Sequence, residues 1–130
     1  MKHDIVYLSH MLYVCRQTLA FNRGKSRAQF NGDKLLQVGL AHMVQTIGEA
    51  ARHVSREFQE QHSEIPWSEI IGMRHKVVHD YLLVDRNVVW KTVSEDLDAL
   101  ILFLERQVPP EIIEELEREL DEEDSDDSPA

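Results

Sequence analysis

The feature that most constrains this chain is its apolar rhythm. Hydrophobic residues recur every three or four positions along nearly the whole length, and nowhere alternate with period two for long enough to build a sheet. Ile5, Leu8, Leu12, Cys15 and Leu19 form one such stripe, and Leu36, Leu40, Met43, Ile47, Ala50 and Val54 form a second. Stripes of this kind must be buried against each other, so the predicted fold is all-α: an up-and-down bundle of four to five helices.

The breaks in the rhythm set the expected boundaries. Phe21 to Asp33, with Asn22, Gly24, Asn31 and Gly32, reads as a connection with a short helical turn near Ala28. The second long helix is expected from about 33 to 60, with polar residues from Ser55 to Ser63 leading away from the core. Pro66 and Trp67 open a third helix, proline being harmless in a first turn that needs no donor. It is expected to run through Ile70, Ile71 and Met73 into the stretch 74–81, with a turn over Leu82 to Asn87. A fourth helix from about Asn87, with Val89, Val93, Leu97, Leu100 and Leu104 inward, stops before Pro109-Pro110.

Composition matters for what it excludes. With 130 residues the chain suits one domain, and Cys15 is the only cysteine, which rules out a disulfide framework and a multi-cysteine zinc site. No apolar run approaches the ~20 residues of a membrane span, so a soluble, cytoplasmic protein is expected. The net charge of −10 misleads as evidence against a nucleic-acid ligand. Residues 111–130 hold eleven of the 24 acids and one base, Arg118, so residues 1–110 are neutral. The expected division is a bundle over 1–108 and, over 109–130, a terminal helix carrying Ile112, Ile113, Leu116 and Leu120 followed by a solvated, disordered acidic tail.

Against this background, Arg74-His75-Lys76-Val77-Val78-His79-Asp80-Tyr81 concentrates the reactive groups. On a regular helix Arg74 and His79 point about 140° apart, so they cannot grip one phosphate together. Either the helix ends between them or two copies of the chain meet. If the helix continues, Arg74, Val77 and Tyr81 share a face, as do His75 with His79 and Lys76 with Asp80. The groups suit metal-free RNA cleavage. A histidine can move the proton of a ribose 2′-hydroxyl or of the leaving oxygen, while a fixed cation steadies charge on phosphorus. The 2′-hydroxyl would then be the nucleophile and a cyclic phosphate the product. A structural role for the same arginine and histidine, bonded to backbone or to acids at a helix end, stays open on these residues alone. His75 and His79 also have the spacing of a metal pair, but a third ligand would have to come from Asp80, His42, His53 or His62, so no metal and no cofactor is assigned.

Four segments carry a resemblance. They are Ile47-Gly48-Glu49-Ala50-Ala51, Ile65-Pro66-Trp67-Ser68-Glu69-Ile70-Ile71-Gly72-Met73-Arg74, Val78-His79-Asp80-Tyr81 and Val89-Trp90-Lys91-Thr92-Val93. In this order they resemble the HepT toxins of the HEPN superfamily, and the likeness covers most of residues 4–106. The resemblance implies a type VII-like toxin–antitoxin pair, with Arg74 and His79 as the catalytic pair of a metal-independent RNA endonuclease, set in a homodimer cleft. It further implies that Tyr81 receives AMP from a partner, an MntA-like nucleotidyltransferase antitoxin, which silences cleavage by adding bulk and charge beside the cleft. His75 stands where the family commonly has asparagine, so it joins Lys76 and Asp80 as a possible auxiliary. The competing class is a non-catalytic helical subunit that binds or presents substrate to a nucleotidyltransferase.

Overall fold

A computed structural model describes residues 2–79 and 83–126. The architecture is all-α, as the apolar rhythm predicts. Helix α1 spans Lys2–Asn22, a short α2 Arg27–Asn31, α3 Lys34–Arg52, α4 Arg56–Gln61 and α5 Trp67–Lys76. A two-stranded ribbon follows, β1 (Val78–His79) and β2 (Leu83–Val84), then α6 Arg86–Lys91, a π-helical turn Thr92–Asp96, α7 Leu97–Gln107 and α8 Pro110–Asp126. The core lies where α1 meets α3 and α7, with Leu8, Met11, Leu12, Leu40, Ile47 and Leu104 almost wholly removed from water. Burying one such side chain stabilises the fold by about 1.5–3 kcal/mol, which is why the stripes dictate the architecture.

Two sequence expectations need correction. The second long helix does not run from 33 to 60. It ends at Arg52, and α4 starts afresh after Ser55. The cause is tertiary: the buried Asp4 carboxylate on α1 accepts from Ser55 N–H and from Ser55 Oγ, both at 2.8 Å, while Ser55 Oγ caps α4 by accepting from Phe58 N–H at 3.1 Å. A helix continuing through Ser55 would forfeit those bonds.

The third helix runs into the reactive stretch and ends there, at Lys76, which is the first of the two geometric alternatives for Arg74 and His79. Val77 is fully buried, and its carbonyl accepts from Asp85 N–H at 2.7 Å rather than from a next helical turn. Val78 and Val84 then pair, as do His79 and Leu83, in an antiparallel ladder. Two β-branched valines in succession favour this exit into extended backbone. The face-sharing expected on a continued helix therefore fails beyond Lys76, and with it the helical basis for a His75 and His79 metal pair. With two residues in each strand, the ribbon leaves the all-α class unchanged.

The second correction is that the turn expected over Leu82 to Asn87 is shorter, because Leu83 and Val84 form β2 and Asp85 caps α6 by accepting from Val88 N–H at 3.2 Å. Leu82 lies outside the described residues, as do Asp80 and Tyr81. The fourth helix begins at Arg86, one residue before the expected start, and carries the π-helical turn. The short helical turn near Ala28 is present as α2. At the other end, α8 continues past Leu120 to Asp126, through much of the run expected to be disordered.

Candidate functional site

The site is built where α5 crosses α3. An aromatic cluster of Phe58, His62, Trp67 and Phe103 holds the start of α5, and the Trp67 indole N–H donates to the His62 carbonyl at 3.0 Å. Further along, Gly48 of α3 lets the two helices touch. A Cβ there would stand 2.7 Å from the Ile70 carbonyl oxygen and 3.2 Å from Arg74 Cγ, so an ordinary side chain would push α5 away. Gln45, one turn earlier, donates to the Arg74 carbonyl at 3.1 Å and ties down the last turn of α5.

This close approach lays Arg74 against Glu49. Arg74 Nε lies 2.7 Å from Glu49 Oε2, and the arginine side chain stays 30% exposed. Glu49 is not Arg74's alone. Its other oxygen takes Arg52 at 2.8 Å and lies 3.4 Å from His53 Nε2. One carboxylate thus serves two permanent cations and an imidazole. The Glu49 carboxyl is held below the usual carboxylate range, first by the hydrogen bond from Arg52, with burial opposing and the charges of Arg52 and Arg74 assisting.

The remaining reactive residues divide at the end of the helix. His75 and Lys76 are exposed on the last turn of α5, whereas His79 has left the helix for β1. Arg74 and His79 therefore belong to two different elements joined by the buried pivot Val77. Asp80 and Tyr81 fall outside the described residues. The other candidate metal ligands are dispersed: His42 is exposed on α3, His53 leans on Glu49 and stacks on Tyr7 at 4.9 Å, and His62 packs against Phe58. Among the described residues, no three potential ligands cluster. A cavity of about 290 Å³ lies beside α5, between Ile47, Ile70, Met73 and the π-helical turn, and none of the described residues of the reactive stretch lines it.

Sequence reasoning quoted Gly48 and Glu49 but gave neither a role, and it overlooked Gln45 and Arg52. A glycine in the middle of an otherwise good helix was the available signal, because its cost of about 1 kcal/mol relative to alanine calls for a packing reason.

A helical bundle that closes α5 onto α3 through a glycine and holds a partly exposed arginine on the last turn of α5 defines the all-α class of this domain. The chain belongs to the family described as Ribonuclease HepT-like, which it matches over residues 11–107. It is 35% identical over 100 residues to a candidate RNase of Caldanaerobacter subterraneus subsp. tengcongensis, covering 77% of this chain and 89% of that protein. A protein of Thermococcus cleftensis named as ribonuclease HepT is 40% identical over 80 residues, covering 62% of this chain and 73% of the relative. A candidate RNase of Methanocaldococcus jannaschii is 28% identical over 100 residues, covering 76% and 92%. No solved structure matches the chain at a comparable level. Among the described residues, no helix is long and apolar enough to cross a membrane.

Proposed function

We propose that this chain is a metal-independent RNA endonuclease and the toxin half of a toxin–antitoxin pair, with Arg74 and His79 as its catalytic residues. The observation that carries the reading is the charge balance at Arg74: a partly exposed guanidinium whose one carboxylate partner among the described residues is shared with Arg52 and His53. Such an arginine can offer its free N–H groups to a phosphate without leaving Glu49 unpaired. Family membership and the relatives named for RNA cleavage support the substrate class.

In the proposed reaction the ribose 2′-oxygen attacks the adjacent phosphorus and the bond to the 5′-oxygen of the next nucleotide breaks. A histidine accepts the 2′-hydroxyl proton or protonates the departing 5′-oxygen, leaving a cyclic phosphate and a free 5′-hydroxyl. Arg74 neutralises the charge that builds on the phosphoryl oxygens. His75 and Lys76, exposed on the final turn, supply auxiliary cationic or hydrogen-bonding contacts to the backbone, and Asp80 is a further auxiliary candidate.

The functional unit in this reading is a homodimer, whose cleft joins the sites of two copies. Support comes from α3, where Leu35 is 83% and Val38 49% exposed, next to Gly39, over which a Cβ would meet nothing within 4 Å. One chain gives no reason for a mid-helix glycine beside exposed aliphatics; a second helix approaching closely would. Control rests on Tyr81, which a partner nucleotidyltransferase would cap with AMP, placing phosphate charge next to the cleft.

The test is cleavage of RNA by purified protein in the presence of a chelator. Arg74→Ala and His79→Ala should each lower the rate by about 10²-fold or more while the dimer stays folded. Unchanged cleavage by both variants would overturn the assignment and favour a non-catalytic binding subunit. Incubation with the partner enzyme and ATP should add one AMP to the wild-type chain and none to Tyr81→Phe. An unchanged intact mass with an active partner would mean that silencing works by occlusion.

A further inference from the structure

A groove of about 430 Å³ has Glu49, the partner of Arg74, in its wall. It also carries four rings, Tyr7, His10 and Tyr13 of α1 and His53 at the C-cap of α3, together with Leu116 and Leu120 of α8. His53 already stacks on Tyr7, with ring centroids 4.9 Å apart and planes at 20°, and His10 meets the same tyrosine edge-on at 6.1 Å. Both imidazoles are exposed, so ring surface is available to a further flat partner. Glu49 lines the groove and at the same time holds Arg74, so the groove and the proposed cleavage site share one side chain.

We propose that this groove is a subsite for one unpaired nucleobase of the RNA substrate; the inference rests on the ribonuclease reading above. Volume and composition fit a heteroaromatic ring, since Tyr and His faces are surfaces on which unstacked bases settle. The only carboxylate in the lining is Glu49, already engaged by Arg52, His53 and Arg74. The sugar–phosphate backbone is unwelcome, because the lining holds no lysine or arginine among the described residues. Base in, backbone out is the arrangement of a nucleotide splayed from a loop or an end. Duplex RNA, whose bases are stacked and paired, could not supply it without paying for unpairing. The α8 wall lies outside the residues that match the family, so this subsite would set selectivity beyond the shared cleavage chemistry.

The experiment uses full-length His79→Ala protein and a short unpaired RNA carrying 4-thiouridine. After irradiation, crosslinks mapped by mass spectrometry should fall on the segments bearing residues 7–13 and 53. The double variant His10→Ala/His53→Ala should lower their yield roughly tenfold, in line with the loss of a base-stacking surface. Because both histidines are exposed, the core is untouched, and His53→Phe, which keeps a ring, should restore the yield. On a chain with His79 intact, His10→Ala, which leaves the Glu49 cluster alone, should raise KM for unpaired RNA severalfold and leave kcat within about twofold. Crosslinks confined to α5 and the ribbon, or an unchanged KM, would overturn the subsite while leaving the ribonuclease reading in place. Groove crosslinks from a wild-type chain that fails to cleave RNA would support the subsite and overturn that reading instead.

Discussion

Two arginines in this molecule make strong ion pairs and serve opposite ends. Arg16 reaches from α1 to Glu105 of α7 at 2.9 Å and to Glu117 of α8 at 2.8 Å, one cation between two carboxylates on two helices. Arg74 meets the reverse situation, since among the described residues the one carboxylate it meets is divided among Arg74, Arg52 and His53. Arg16 is saturated with negative charge and acts as a clasp. Arg74 sits in a local excess of positive charge, which is what an anionic ligand requires. The lesson is that the stoichiometry of charge around an arginine, more than the distance of its shortest pair, separates a structural site from one that can bind.

The comparison breaks most severely at Gly48. Gly48→Ala places a methyl group 2.7 Å from a backbone oxygen that cannot swing aside. Overpacking of this kind should cost about 1–3 kcal/mol, read as a lowered denaturation midpoint. It should also move Arg74 away from Glu49 and reduce RNA cleavage more than the stability loss explains. Gly72→Ala is the matched control, because a Cβ there meets nothing within 4 Å and the exchange should leave both stability and cleavage near wild type or raise stability slightly.

Glu49→Gln sharpens the comparison further. It removes the charge that aims Arg74 but keeps the shape, so cleavage should fall roughly tenfold through misplacement of the guanidinium, with circular dichroism unchanged. An undiminished rate would mean that Arg74 needs no positioning. The pH dependence has a definite sign. Because the folded Glu49 pKa is lowered, its contribution is fully present above the unfolded carboxylate value of about 4.3 and is lost only as pH falls through the lower folded value. Between pH 5 and 8, therefore, Glu49 stays ionised, and any change of cleavage rate in that window should belong to a histidine and persist in Glu49→Gln.

How much of this was legible in the sequence follows from the range of the forces involved. The helical stripes were readable because burial of Leu12 or Ile47 depends on local period alone. The break at Ser55 was not, since it depends on Asp4, fifty-one positions away, reaching across to cap it. The end of α5 was offered as one of two geometric alternatives, and the fold selects it through Val77 and its bond from Asp85. The reactive stretch stood out by composition, yet the residue that conditions Arg74 lies on another helix in a motif of plain helix formers. Only the glycine before it hinted at contact.

Arg16 supplies the mildest test and closes the comparison. Its side chain is 35% exposed and its partners Glu105 and Glu117 are 41% and 36% exposed, so water screens much of the attraction. Arg16→Met, which keeps the aliphatic stem, should lower global stability by no more than about 1 kcal/mol. The consequence should be local instead. Helix α8 would retain Ile113 in the core but lose its tie to α1 and α7, so its amides should exchange with deuterium faster than those of α3. Cys15, one residue earlier, gives an independent reading: burial pushes its thiol up to about 12, and alkylation at pH 8 should stay slow in wild type. If Arg16→Met left α8 exchange unchanged while Glu49→Gln impaired cleavage, a doubly paired arginine would contribute less to this fold than a half-paired one contributes to its site.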